Sequence, residues 1–310
     1  MNAIEIHRLT KDFGNKRAVS GINLTVSAGS IFGFLGPNGA GKTTTIKMLI
    51  GLIKPTLGTA TICGFDVVTQ ANQVAPIISA IVEMPTFFPH LTAIQTLKTL
   101  AEYSNVSLSS HRCEELLDRC GILNSSNVRV GTFSLGMKQR LGLAAALLNN
   151  PKVIFLDEPN NGLDPDGILE VRTLLKDLAK RENRTIFVSS HQLNEVELVC
   201  DEIAILKNGE VVSSSKVDDL QSKKSIYLNS IPIDETLKVI QTKFHNKNFS
   251  VQGDGLRLDL DKDEIPLLVE ELVLNKISVY EIKFVSPTIE QYFHETLKND
   301  KHAKTNTRGS

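Results

Sequence analysis

An α/β fold is predicted for this 310-residue chain, with a largely parallel sheet first and a smaller α+β unit after it, on three observations. The first is GPNGAGKTT, Gly36 to Thr44, directly following the apolar run Ile31 to Leu35: a strand feeding a loop of the GxxxxGK[ST] pattern. The second is the recurrence of short apolar runs at Ile77 to Val82, Val153 to Leu156, Ile186 to Val188 and Ile203 to Leu206, with helical patterns between several of them. The third is a change of character after about residue 217, where a polar link, Ser213 to Lys216, precedes a new series of elements.

The elements follow in order. Ile4, Ile6 and Leu9 alternate, as do Ile22, Leu24 and Val26, which predicts antiparallel strands with one buried face. In the loop after the next strand, Gly36, Gly39 and Gly41 let backbone N–H groups face phosphate oxygens. Asn38 and Thr44 belong to the same cradle, Lys42 reaches the terminal phosphates, and the Thr43 hydroxyl is placed to hold Mg2+. Ile46, Leu49, Ile50 and Ile53 then repeat at helical spacing, so a helix points its positive end at the nucleotide. From about 88 to 150 the pattern is helical, with Leu91 to Tyr103, Cys113 to Cys120 and Leu135 to Leu148, and is read as an insertion. A domain boundary is expected at residue 217, with 218–300 an accessory unit. There a strand at Tyr227 to Ile231, a helix at Glu235 to Phe244, a hairpin across Gly253-Asp254-Gly255, a helix at Glu264 to Leu274 and a strand at Val279 to Val285 give the order βαββαβ of a ferredoxin-like unit. A last helix is expected over Thr288 to Leu297, and 301–310 as a disordered tail whose RGS ending suits a tag remnant.

Composition excludes several classes. Hydrophobic content of 41% is that of a soluble globular chain, and a net charge of −1 with both signs interspersed offers no field for nucleic acid. The 4 cysteines are scattered without a CxxC pair, which suits small buried thiols in a reducing compartment. No signal-peptide core and no run long enough to span a membrane is present, so a cytosolic chain is expected, meeting membranes only through partners.

Two further segments carry chemistry. PKVIFLDEP, Pro151 to Pro159, is an apolar strand ending in two carboxylates, where an open parallel sheet places its ligand. Asp157 would bind Mg2+ directly or through water, and Glu158 would orient or deprotonate an attacking water; the plainer reading of the segment taken alone is a strand ending in a solvated acidic turn. FSLGMKQR, Phe133 to Arg140, opens a helix with Ser134 and Gly136, a second potential anion site or, more plainly, a helix cap.

Together with NGLDP (Asn161 to Pro165) and His191, these segments resemble ABC-type ATPases in order and spacing over about residues 1–215, above all the nucleotide-binding subunits of ABC transporters. The resemblance implies a P-loop NTPase of the ABC type with an antiparallel β subdomain and a helical insertion. It implies ATP and Mg2+ as ligands and a head-to-tail dimer sandwiching two ATP molecules. With a single Walker motif per chain the partner is a second copy, and Ser134 and Gly136 would contact the phosphate held by that copy. Phe13 stands where an aromatic stacks on adenine, Asp164 where the D-loop crosses the interface, and His191 where a switch histidine meets the γ-phosphate. Plainer roles stand beside these: Phe13 in the core, Asp164 as an N-cap before Pro165, His191 on the surface.

Two departures from the family pattern stand out. Where the Q-loop carries glutamine, this chain has Glu83, expected to stay a magnesium ligand or relay and to slow hydrolysis modestly. In the signature, Leu135 and Met137 replace the usual first glycine and the glutamine. With the C-terminal SPTIEQYFHETL, these departures resemble the bacitracin-resistance and lantibiotic-immunity branch, which expels antimicrobial peptides. That resemblance implies two integral-membrane permease subunits, received beside Pro85 to Pro89, and a place at the cytoplasmic face of the membrane. A soluble ABC-fold ATPase acting on ribosomes or nucleic acid is the alternative.

Overall fold

Period-two alternation gives way to fully buried runs at the strands that carry the site, and the layers follow from that change. The computed structural model describes residues 1–221, 225–285 and 292–293. The helix read over 288–297, save Tyr292 and Phe293, and the tail 301–310 lie outside them. Long strands β1 (Asn2–Phe13) and β2 (Lys16–Ser27) form an antiparallel ribbon that buries one face, and β3 (Ile31–Leu35), buried at all five positions, runs into the phosphate loop and α1 (Lys42–Leu49). Next come β4 (Leu57–Ile62), β5 (Phe65–Asp66), the short α2 (Ala71–Val74) and β6 (Ile78–Ile81). The insertion supplies α3 (Ala93–Tyr103), α4 (Ser110–Arg119) and α5 (Leu135–Ala146); α5 packs on α3, α4 and β6. Then follow β7 (Val153–Asp157), α6 (Pro165–Lys180), β8 (Thr185–Ser190), α7 (Leu193–Val199), β9 (Glu202–Lys207) and β10 (Glu210–Lys216).

Two sheets result, in orders β2-β1-β4-β5 and β10-β9-β3-β8-β7-β6. In the second, β9, β3, β8, β7 and β6 pair in parallel, which brings the C-terminal ends of β3, β7 and β8 side by side. A single core joins both sheets around α1: Ile4, Ile6, Val19 and Leu24 meet Ile46, Met48 and the ring cluster Phe32, Phe34, Phe155 and Phe187. Phe187 lies 5.2 to 5.6 Å, centroid to centroid, from the other three. Such pairs add about 0.5–1.5 kcal/mol each beyond the area they bury.

The described residues divide into two compact units, Met1–Ser215 and another beginning at Lys216. After α8 (Val217–Gln221), the second unit runs β11 (Ser225–Ile231), α9 (Ile233–Lys243), β12 (Phe249–Gln252), β13 (Gly255–Leu258), α10 (Ile265–Leu274) and β14 (Ser278–Val285). Its sheet order, β12-β13-β11-β14, has antiparallel pairs throughout and is the ferredoxin-like arrangement of a βαββαβ unit. Ile226, Leu228, Ile240, Leu256 and Leu268 form its core.

Two features differ from expectation. The polar stretch Ser213 to Lys216 is not a link: it is the end of β10, an edge strand whose half-exposed faces tolerate serine. Strand β4, LGTATI, escapes a pattern reading because its first three residues, Leu57 included, are exposed. The thiols are free, with Cys113, Cys120 and Cys200 buried. Burial pushes Cys120 up to about 12 and Cys200 higher still, so both stay protonated and inert.

Candidate functional site

The site is built where three parallel strands end. The turn out of β3 is forced by Gly41, at φ 110, where an added Cβ would lie 2.7 Å from the Ala18 carbonyl oxygen. A side chain there is excluded twice, by conformation and by space. Lys42, only 6% exposed, donates from Nζ to the Gly36 carbonyl at 2.7 Å and lies 3.3 Å from Glu158 Oε1. One residue on, Thr43 Oγ1 donates to Asp157 Oδ2 at 2.7 Å, joining the start of α1 to the end of β7. Both are hard oxygen donors of the kind that would suit Mg2+. No group of three His, Cys, Asp or Glu that could hold a metal occurs among the described residues.

Asp157 is buried and doubly held, because Ser189 Oγ donates to its second oxygen. Ser189 also receives the Glu158 backbone N–H, at 3.1 Å on Oγ. Glu158 itself sits at φ 51, a left-handed conformation costly for a residue with a side chain, of order 1–3 kcal/mol. That bend turns its carboxylate off the strand to meet His191 Nδ1 at 2.7 Å and Lys42 on its other oxygen. A carboxylate held between a cation and an imidazole at a sheet edge is equipped to orient water and take a proton.

The cleft over this constellation measures about 500 Å³ and is lined by the loop residues 37–44, Glu158, Phe13 and four neighbours not expected from pattern: Lys16, Arg17, Ala18 and Asn208. Phe13 is 51% exposed, so it is no core residue, and Lys11 Nζ stands 5.1 Å from its ring centre. Asn208 and Gly209 make the turn between β9 and β10; Gly209 N–H donates to the Ala40 carbonyl at 2.9 Å and braces the loop from the side. The Asn-Gly pair between two apolar runs was the available signal. Ser189 had a weaker one, its place two residues before His191.

Ser134, Gly136 and Asp164 do not enter this cleft. They line another, of about 550 Å³, with Leu135, Met137, Arg140 and Gly162. Both plain readings hold here as well: Ser134 caps α5 by accepting Met137 N–H at 3.2 Å, and Asp164 caps α6 by accepting Gly167 N–H at 3.0 Å. The large Leu135 is accommodated because Gly162, at φ 79, lacks a side chain; a Cβ there would lie 2.0 Å from Leu135 Cδ2. Gly162→Ala is therefore expected to displace Leu135 and strain the loop, lowering stability by about 1–2 kcal/mol in denaturant titration, with Leu135→Gly recovering the clash but not the strain. Glu83 lines neither cleft: at φ 65 and 68% exposed in its side chain, it accepts from Lys47 Nζ at 2.7 Å. The Lys47 ammonium holds its carboxyl below the ordinary range.

A parallel sheet whose strand ends present a glycine-bent loop, a buried lysine, a Thr–Asp pair and a poised glutamate defines a P-loop nucleoside triphosphatase. The family model described as ABC transporter matches residues 19–161. The chain is 40% identical over 288 residues, 92% of its length and 94% of the relative's, to the bacitracin transport ATP-binding protein BcrA of Bacillus licheniformis. It is 36% identical over 228 residues, 74% of its length and 97% of the relative's, to the lantibiotic transport ATP-binding protein SrtF of Streptococcus pyogenes. Among solved structures, the dimeric post-hydrolysis state of the ATP-binding cassette MJ0796 bound to ADP and Pi matches with TM-score 0.63 at 26% identity, covering 69% of this chain and 98% of that one. The chain belongs to the ATP-binding subunits of ABC transporters, and it is an ATPase.

Proposed function

We propose that the chain is the ATP-hydrolysing motor of a bacterial exporter of antimicrobial peptides, working as a head-to-tail pair beneath two integral-membrane subunits at the cytoplasmic face. The observation that carries the pairing is the division of phosphate-binding groups between two clefts that share no residue: Lys42, Thr43 and Glu158 line one, Ser134 and Gly136 the other. A second copy facing the first would bring the two sets together. Likeness along most of the chain to proteins named for bacitracin and lantibiotic transport supports the peptide cargo.

The chemistry rests on this chain's own groups. Phe13 stacks on adenine, and Lys42 with the loop N–H groups carries the phosphates. Thr43 and Asp157 would hold Mg2+, which when bound neutralises developing phosphate charge. Glu158 orients the attacking water, and His191, already on Glu158, senses the γ-phosphate. Asp164 carries the state of one site across to the other.

A third cleft, of about 370 Å³, supports the membrane partner. Val82, Met84, Pro85, Thr86 and Phe87 form one wall, and small residues of α5, Gly142 and Ala145, line it as well. Phe88 beside it is 55% exposed, an anchor for an apolar helix. Phe88→Asp is expected to lower recovery of the chain with membranes by on the order of tenfold while ATP binding is kept. Recovery of the parent chain with ribosomes instead would overturn the assignment.

A further inference from the structure

His191 meets Glu158 at 2.7 Å and leads directly into α7, a helix of 7 residues with little local support. Among the described residues no side chain caps it, Val196 is its one buried residue, and its first helical bond, Val196 N–H to the Gln192 carbonyl, is long at 3.4 Å. A helix so short depends on tertiary contacts for its place. One such contact comes from α6, where Arg172, two turns in from Pro165, donates from Nη2 to Glu195 Oε2 at 2.8 Å. With side chains 21% and 23% exposed, this pair is screened less by water and salt than a surface pair is. Arg172 Nε is buried and meets no acceptor among the described residues, a cost that an apolar packing residue would not incur. The cavity around the pair is lined by Pro159 and Asn160, which follow Glu158, and by Ser190, which precedes His191. The pair therefore stands behind both sides of the Glu158–His191 contact.

We infer that Arg172 is a positioning residue for hydrolysis: through Glu195 it holds the start of α7, and with it His191, against the Glu158 carboxylate. The inference rests on the roles given above to Glu158 and His191. Nucleotide binding is left to the loop 37–44, which Gly209 braces without help from α6 or α7. Loss of Arg172 is therefore felt in the chemical step and not in affinity. Because its contact is a single bond from one nitrogen, a lysine ammonium can replace it without leaving a buried Nε unpaired.

Arg172→Met is expected to lower kcat for ATP hydrolysis by about three- to tenfold with KM within about twofold of the parent, and Arg172→Lys to recover most of the rate. In a His191→Ala chain, followed by single-turnover hydrolysis, Arg172→Met should cause no further loss, because it acts through the residue already removed. Hydrogen exchange of amides 196–199 in the nucleotide-free full chain reads the same hold without ATP: Arg172→Met should speed it several-fold, and Arg172→Lys should leave it at the parental rate. Losses that add to those of His191→Ala, or that lie in KM, overturn the inference, as does unchanged exchange in Arg172→Met. Parental hydrolysis in both His191→Ala and Glu158→Gln would instead sink the roles of those two residues, while the exchange arm still decides whether Arg172 anchors α7.

Discussion

Glu158→Gln is expected to lower ATP hydrolysis by about 10²–10⁴-fold while leaving ATP binding within a few-fold of the parent. The substitution keeps the shape of a side chain whose position is set from three directions: the backbone N–H on Ser189, one oxygen on His191 and the other facing Lys42. Glutamine's carbonyl can still meet Lys42, so the loop keeps its cation in place. What disappears is the ability to accept a proton from water. ATP should then accumulate uncleaved, and the chain should elute as a dimer with Mg-ATP and as a monomer without nucleotide. Steady-state phosphate release and size-exclusion chromatography check the two halves. Hydrolysis near the parental rate would remove Glu158 from the reaction and leave its left-handed backbone, φ 51, without a chemical reason.

The groups proposed to meet phosphate stand in contiguous sets in the sequence: Gly36 to Thr44 after its strand, Asp157-Glu158 at the end of another, Ser134 to Gly136 at a helix start. A local run encodes a loop and the side chains it carries. What escaped reading depends on which strands the sheet places together. Ser189 holds the Asp157 carboxylate and the Glu158 backbone N–H only because β8 lies between β3 and β7, and Asn208 reaches the cleft only because β9 flanks β3. Lys47 had helical spacing from Thr43 but no visible partner, since Glu83 arrives from a strand across the sheet. The capping roles of Ser134 and Asp164 show why a motif residue need not choose between local structure and function. A hydroxyl or carboxylate that satisfies helix N–H groups also stands at the positive end of that helix, where an anion is favoured.

Lys42→Ala and Ser134→Arg should each abolish ATP hydrolysis when made alone, by about 100-fold or more, and partly restore it when the two variant chains are combined. The reason lies in which cleft each residue occupies. Lys42 belongs to the Walker half, buried between the Gly36 carbonyl and Glu158. Ser134 lies in the other cleft, its oxygen accepting from Met137 and its O–H left to donate. In a head-to-tail pair, each complete site takes its Walker half from one chain and its Ser134 from the other. A mixed dimer therefore concentrates both defects in one site and leaves its second site intact. Random pairing of equal amounts gives mixed dimers in about half of all pairs, each with half its sites whole, so about a quarter of parental ATP hydrolysis should return. Differently tagged chains, co-expressed and purified through both tags, isolate the mixed dimer and should raise that share to about half. If the mixture stays as inactive as either variant, the two clefts do not complete one another across a dimer. If Ser134→Arg alone remains active, each Walker half is sufficient by itself, and the second copy has some purpose other than closing over the phosphates.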